Sequence, residues 1–320
     1  MKTIDLNEYT TKTFGCDVPH FLEALENSPN SRGYILGAVS EDTLCHYLDD
    51  KGYEVLRIVE KPSGGNDAKS DEARGDFYVR KKGSDADAWL VVESKGLKSN
   101  SEFRGAKFDS PDKVFRYLKP LAFPAKDSKK ATYAKGLRSY EKAKAKWEKA
   151  HHGKQFPPFA WGRENPGPIT CDLLGIWKSE NDLRRYLDSL PDEAFTEEGY
   201  RECRGALVVI ETHKPSKREA PVTGIKQAAP LVSDFSVLAV DLFLRTGRHE
   251  FAFVNPETIS HSPTSPEHLY QNYTIDILIP GLKARPRFIP PWYGDFDECV
   301  AKTKPASRKL DPTQIDHRQD

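Results

Sequence analysis

The stretch GDFYVRKKGSDADAWLVVESKG, residues 75–96, decides how this chain is read. Both arms, Asp76 to Gly83 and Ala88 to Gly96, are rich in β-branched and aromatic residues. The segment between them has turn chemistry, so the arms predict an antiparallel hairpin. WLVV is a continuous apolar run, as expected of a strand covered on both faces. It stops at Glu93, Ser94 and Lys95, where a buried strand would emerge at a polar site.

Antiparallel pairing sets the start of one arm beside the end of the other. Asp76 and Glu93, with sixteen residues between them, therefore converge at the open end of the hairpin. Residues i and i+2 of a strand share a face, so Lys95 points with Glu93. Two carboxylates and an ammonium group at one strand end suit phosphodiester hydrolysis. Asp76, Glu93 and the backbone carbonyl of Ser94 form a hard-oxygen donor set expected to take Mg2+, with Mn2+ as a substitute. Such an ion activates water and neutralises charge on a phosphate. Lys95 is expected to orient or deprotonate the attacking water and to stabilise the transition state. The opposing reading is an exposed hairpin with solvated charges. Glu-x-Lys alone says little; its weight comes from its place at the end of an apolar strand.

The elements before the hairpin extend the pattern. Residues 38–50 predict a helix, with Ser40 as N-cap and Glu41 and Asp42 in its first turn. Residues 53–60 predict a strand, and the polar, Gly-rich residues 61–75 a loop. Helix, strand, Gly75-Asp76 and Glu93-Ser94-Lys95 in this order resemble the PD-(D/E)XK nuclease superfamily, which includes many restriction endonucleases. The resemblance spans about residues 38–120. It implies an α/β, restriction-endonuclease-like core with a central mixed β-sheet flanked by helices, and further helical and hairpin elements C-terminal to it. It also implies that a helical acid lies near the metal, a role that falls to Glu41. Gly75 stands where many members have proline.

Further along, residues 96–105 contain Lys98, Ser99, Asn100 and Arg104, read either as a phosphate-holding loop or as plain surface. Residues 126–154 predict a basic helix in which Lys129, Lys130 and Arg138 are candidates for nucleic-acid contact. Tyr133, Tyr140 and Trp147 form one stripe on it, more often core than a stacking surface. A rival site is Glu211-Thr212-His213 with Asp234 or Asp241, but it lacks a lysine. His151 and His152 close the basic helix, and His249 sits in a Thr-Gly-Arg-His turn between two β-rich arms; no ligand role is assigned to them.

Three regions follow: residues 1–125, the nuclease-like core behind a helical leader; 126–300, a helical insertion with a β-rich recognition or sheet-extension region; and 301–320, a polar flexible tail. The later strands either extend the central sheet or form a second lobe. Net charge is zero, so any basic surface is local. Five scattered cysteines without a Cys-x-x-Cys pair argue against a disulfide framework or a zinc site. The first residues lack an apolar signal segment, and no run is long enough for a membrane helix. No phosphate-loop, Gly-x-Ser-x-Gly or dinucleotide fingerprint appears. The expectation is a cytoplasmic Mg2+-dependent endonuclease acting on DNA, in a restriction or phage-defence setting and as a homodimer. Alternatives are a DNA-repair or RNA-directed nuclease on the same core, a nucleic-acid-binding protein with a degenerate nuclease fold, or an unrelated α/β protein.

Overall fold

The structure is a computed structural model; it describes residues 5–59, 73–84, 86–97, 109–162, 164–170, 173, 175–196, 207–212, 217–276 and 288–317. Its helices are α1 (Leu6–Phe14), α2 (Val18–Glu26), α3 (Pro29–Asp50), α4 (Pro111–Ala122), α5 (Ser128–Ala150) and α6 (Glu180–Asp188), with a single turn at Phe243–Thr246 and a C-terminal helix at Phe296–Thr303. The strands are β1 (Tyr53–Arg57), β2 (Phe77–Lys81), β3 (Leu90–Gly96), β4 (Ile169–Thr170), β5 (Leu207–Glu211), β6 (Arg218–Glu219), β7 (Lys226–Gln227), β8 (Val237–Asp241), β9 (Phe251–Val254), β10 (His261–Ser262), β11 (Ser265–Leu269) and β12 (Asn272–Asp276).

A five-stranded mixed sheet in the order β1-β2-β3-β8-β9 organises the molecule. β1, β2 and β3 are antiparallel in sequence, β3 and β8 are parallel, and β9 returns antiparallel to β8. The 75–96 hairpin thus forms as its sequence predicts. Alternation sorts its apolar residues to two faces. Phe77, Val79 and Val92 join Leu44 and Leu48 of α3 and Phe296 and Cys299 of the C-terminal helix. Tyr78 and Val91 join Trp89, Leu238, Val240, Tyr273 and Trp292 on the other face. Both faces of β3 are therefore covered, which explains the unbroken apolar run before Glu93.

α3 begins at Pro29, well before the expected start at residue 38, so Ser40 lies in the helix interior and is not its cap. The reason is tertiary: Ser40 is buried against the sheet and its hydroxyl lies 3.4 Å from that of Ser94. The later strands divide between the two expected roles. β8 and β9 extend the central sheet, whereas β12 pairs with β4 on one side and β5 on the other in a separate three-stranded sheet. α4 and α6 form a second core with Leu173, Trp177 and Phe195. α5 docks through Tyr140 and Trp147 onto Phe156, and the Trp147 indole donates to the Thr223 carbonyl at 2.8 Å.

Of the residues expected as a flexible tail, 301–303 close the C-terminal helix and 304–317 run against the sheet. The backbones of Trp89 and Arg308 exchange hydrogen bonds of 2.8 Å in both directions. The buried Gln314 side chain accepts from Ala73 N–H at 3.1 Å and from the Tyr78 hydroxyl at 2.8 Å. Polar composition hid this because the contacts are backbone pairing and one buried amide. Among the described residues, Cys16, Cys45 and Cys299 are free thiols, and no helix is long and apolar enough to cross a membrane.

Candidate active site

β3 carries Glu93, Ser94 and Lys95 at its C-terminal end. Glu93 is 3 % exposed, an unusual burial for a carboxylate. Asp76 sits one residue before β2. Phe77 pairs with Val92, so the next pair outward in the same register is Asp76 with Glu93. The Asp76 backbone is pinned from both sides: its N–H donates to the Val92 carbonyl and its carbonyl accepts from Ile58 N–H, both at 2.8 Å. Its carboxylate Oδ2 accepts from Ser94 N–H at 2.6 Å.

Gly75 makes this close pairing possible. A Cβ at that position would meet the Val92 carbonyl oxygen at 2.7 Å and Val91 Cγ1 at 2.6 Å. The backbone before Asp76 lies too near β3 for any side chain. Gly75 therefore has a packing role in seating Asp76.

Lys95 Nζ lies 2.5 Å from Glu93 Oε1, and its side chain is 27 % exposed. The neighbouring charges shift the protonation of Asp76 and Lys95. Burial first, then the Glu93 charge, raises the Asp76 carboxyl well above its usual range; Glu41 adds to this, while Lys95 and Ser94 N–H pull the other way. For Lys95, burial opposes the charge, but Glu93 and Asp76 outweigh it and the net shift is upward. Lys95 stays an ammonium ion. Its expected role as a proton acceptor is thereby disfavoured, and its role as a fixed positive charge is favoured.

Glu41 lies near enough to act on the site and is itself engaged by an arginine. Its Oε2 lies 2.6 Å from Arg57 NH1, and the Arg57 guanidinium lies over the Phe77 ring at 5.2 Å. Glu41 still acts on Asp76 and Lys95 through its charge. Its carboxylate, however, is engaged by β1 on the α3 side of the sheet. Among the described residues, no group of three or more His, Cys, Asp or Glu side chains is arranged to hold a metal. The site offers two crowded carboxylates, with Ser94 entering through its N–H.

The remaining candidates do not gather here. Lys98, Ser99, Asn100 and Arg104 lie outside the described residues. Lys129, Lys130 and Arg138 are exposed on α5, with Lys130 paired to Asp127 at 3.3 Å. Tyr140 and Trp147 are core residues, and only Tyr133 of that stripe is exposed. At the rival site, His213 lies outside the described residues. Asp234 instead binds Arg218 at 2.6 Å and caps Leu231 N–H at 2.9 Å.

The sequence reading named Asp241 and His249 separately but not as a pair. Asp241 ends β8 beside Gly96, is 3 % exposed, and lies 2.6 Å from His249 Nδ1 through its Oδ2. An aspartate closing the apolar run VLAVD was the available signal. Its partner was hidden in a turn eight residues on. Comparison with known proteins finds no matching family model, no similar curated protein and no similar solved structure.

Proposed function

We propose that the chain is a divalent-cation-dependent nuclease that hydrolyses phosphodiester bonds of DNA on a restriction-endonuclease-like core. The observation that carries this is the crowding of Asp76 against Glu93 at the end of β3, with the Lys95 ammonium beside them. A carboxyl that desolvation and a neighbouring acid hold toward protonation, as Asp76 is, is costly in a site with no use for it. A divalent cation would relieve that crowding. The donors are hard carboxylate oxygens, and Mg2+ needs only one or two carboxylates because it retains several waters. Asp76 and Glu93 would hold the ion, which supplies Lewis acidity toward the phosphate and its attacking water. Glu41 acts on this centre through its charge rather than as a ligand.

The chain's own groups have defined tasks. Ser94 N–H orients the Asp76 carboxylate, and Gly75 lets β2 approach β3. Lys95 places a permanent positive charge beside the acids, where it stabilises the charge that builds on phosphate oxygens as water attacks. In the overall step a water oxygen bonds to phosphorus, the bond from phosphorus to the deoxyribose oxygen breaks, and that oxygen takes up the proton the water gives up. The helix–strand–hairpin order and the parallel β8 beside the active strand support the core assignment.

The test is cleavage of plasmid DNA, modified phage DNA and RNA with Mg2+ or Mn2+, beside Asp76→Ala and Lys95→Ala. Metal-dependent cutting that both variants lose while staying folded supports the proposal. A wild-type protein that cuts nothing, or a Lys95→Ala variant that cuts as fast, overturns it.

A further inference from the structure

We propose that α5 presents a five-cation stripe that lies along the phosphate backbone of duplex DNA. The stripe is Lys135, Arg138, Lys142, Lys146 and Lys149, all exposed. Its steps of three, four, four and three residues follow the helix period. At about 100° per residue the five side chains fall within an arc of about 80°. Tyr140 and Trp147 leave the helix about 150° away and pack with Phe156. Of the α5 cations expected to contact nucleic acid, Arg138 lies in the stripe, whereas Lys129 and Lys130 lie outside it.

The other charges of α5 stand off the stripe. Lys130 pairs with Asp127 at 3.3 Å, and Lys144 with Glu148 at 4.0 Å. Glu141 and Glu148 share one flank, so no acid interrupts the five cations. None of the five pairs with a carboxylate among the described residues. Such an array is electrostatically unfavourable in the isolated protein, because cations three or four residues apart on a helix lie about 5–6 Å from one another and repel. A helix that needed only solubility would alternate signs. The chain has 48 acidic residues for its 48 lysines and arginines, so acids are not scarce. On α4 and α6, Lys113, Lys119, Arg184 and Arg185 each meet a carboxylate. α5 instead carries eight basic residues and two acidic ones. An external polyanion relieves that repulsion.

A line of phosphates fits the stripe. From Lys135 to Lys149 the helix rises about 21 Å. One strand of DNA carries a phosphate about every 3.4 Å of axis, so the stripe spans about six of them. The helix is fixed from behind: the Tyr140 hydroxyl donates to the Pro157 carbonyl at 2.9 Å and the Trp147 indole to the Thr223 carbonyl at 2.8 Å. A lipid surface fits less well. Interfacial helices bury an apolar face beside their cations, and that face of α5 is already used in the core. The stripe does not depend on the chemistry at the end of β3; it would serve equally a protein that binds DNA without cutting it.

The test measures anisotropy of a fluorescein-labelled DNA duplex in EDTA across a salt series. The stripe variant is Lys142→Gln, Lys146→Gln and Lys149→Gln together, which removes charge with little change in helix propensity. The control removes the same charge elsewhere, at exposed Lys12, Lys178 and Lys302, also by glutamine. The stripe variant should lower the slope of log affinity against log salt by about 2–3 and weaken binding about a hundredfold at 0.1 M salt. It should melt no lower than wild type, and arginine at the same three positions should bind as wild type does. The control should lose far less. Equal losses in stripe variant and control, or none in the stripe variant, overturn the stripe. So does a wild type that binds no duplex, or that binds phosphatidylserine vesicles or polyglutamate as tightly as DNA. An unaffected stripe variant with Lys95→Ala inactive in cleavage leaves the nuclease reading standing. A stripe variant that loses binding in a protein that cuts nothing sustains the stripe and removes the nuclease reading.

Discussion

Replacing Gly75 by alanine puts a methyl group where β2 and β3 touch. The new carbon would lie 2.7 Å from the Val92 carbonyl oxygen and 2.6 Å from Val91 Cγ1. Ordinary carbon contacts need about 3.5 Å, so the strands must part by roughly half an ångström or more. The valine methyl can rotate away, but the carbonyl belongs to a paired strand and cannot. Overpacking of this kind costs about 1–3 kcal/mol. The displacement falls on Asp76, whose N–H bonds the same Val92 carbonyl. A misplacement approaching 1 Å in a catalytic group lowers rates by about 10²-fold, so cleavage should fall about ten- to a hundredfold. Urea unfolding reads the first effect and plasmid cleavage at saturating Mg2+ the second. Gly37→Ala is the control: a Cβ there meets nothing within 4 Å inside α3. It should gain about 1 kcal/mol from helix propensity. A Gly75→Ala protein as stable and as active as wild type would refute the close-approach argument.

The pH dependence should reveal Asp76. Its native pKa lies above its unfolded value, so the folded state holds the proton more tightly and stability declines as pH rises from about 4 toward the native value. Asp76→Asn removes that slope; it should be more stable than wild type near neutral pH and equal to it near pH 3, as read by thermal melts. Buried His261 and His268 act in the opposite sense, because burial lowers both pKa values from 6.5. Their share of stability is lost as pH falls below about 6.5, and substituting either residue by phenylalanine should flatten that acid limb. Saturating Mg2+ should raise the melting temperature of wild type, by about 2.7 kcal/mol of stability at a hundredfold excess over Kd; an equal rise in Asp76→Asn would place the ion elsewhere. A double-mutant cycle on Glu41 and Arg57 should return a coupling of about 1 kcal/mol, modest because their side chains are 26 % and 18 % exposed. A coupling near zero would free Glu41 for another role.

The hairpin and the convergence of Asp76, Glu93 and Lys95 were legible in residues 75–96. Strand period, turn residues and an apolar run ending in charge are local signals, and antiparallel neighbours close over short loops. The helix before β1 and the β8–β9 arms around Thr-Gly-Arg-His were legible for the same reason. Other features depended on partners distant in sequence. Parallel pairing of β8 with β3 joins segments more than a hundred residues apart, so no local pattern names it. Ser40 looked like a helix cap because its contact with Ser94 belongs to the sheet. Glu41 was read as a helical acid near the metal, and its engagement by an arginine on β1 was not visible in the local pattern. Polar residues 301–317 looked unattached because what holds them is largely backbone pairing, which side-chain composition does not report. The sequence by itself determined which residues carry charge at the end of a buried strand. Tertiary structure decided which of those charges are left facing one another, because burial and long-range partners set the electrostatics of each carboxylate.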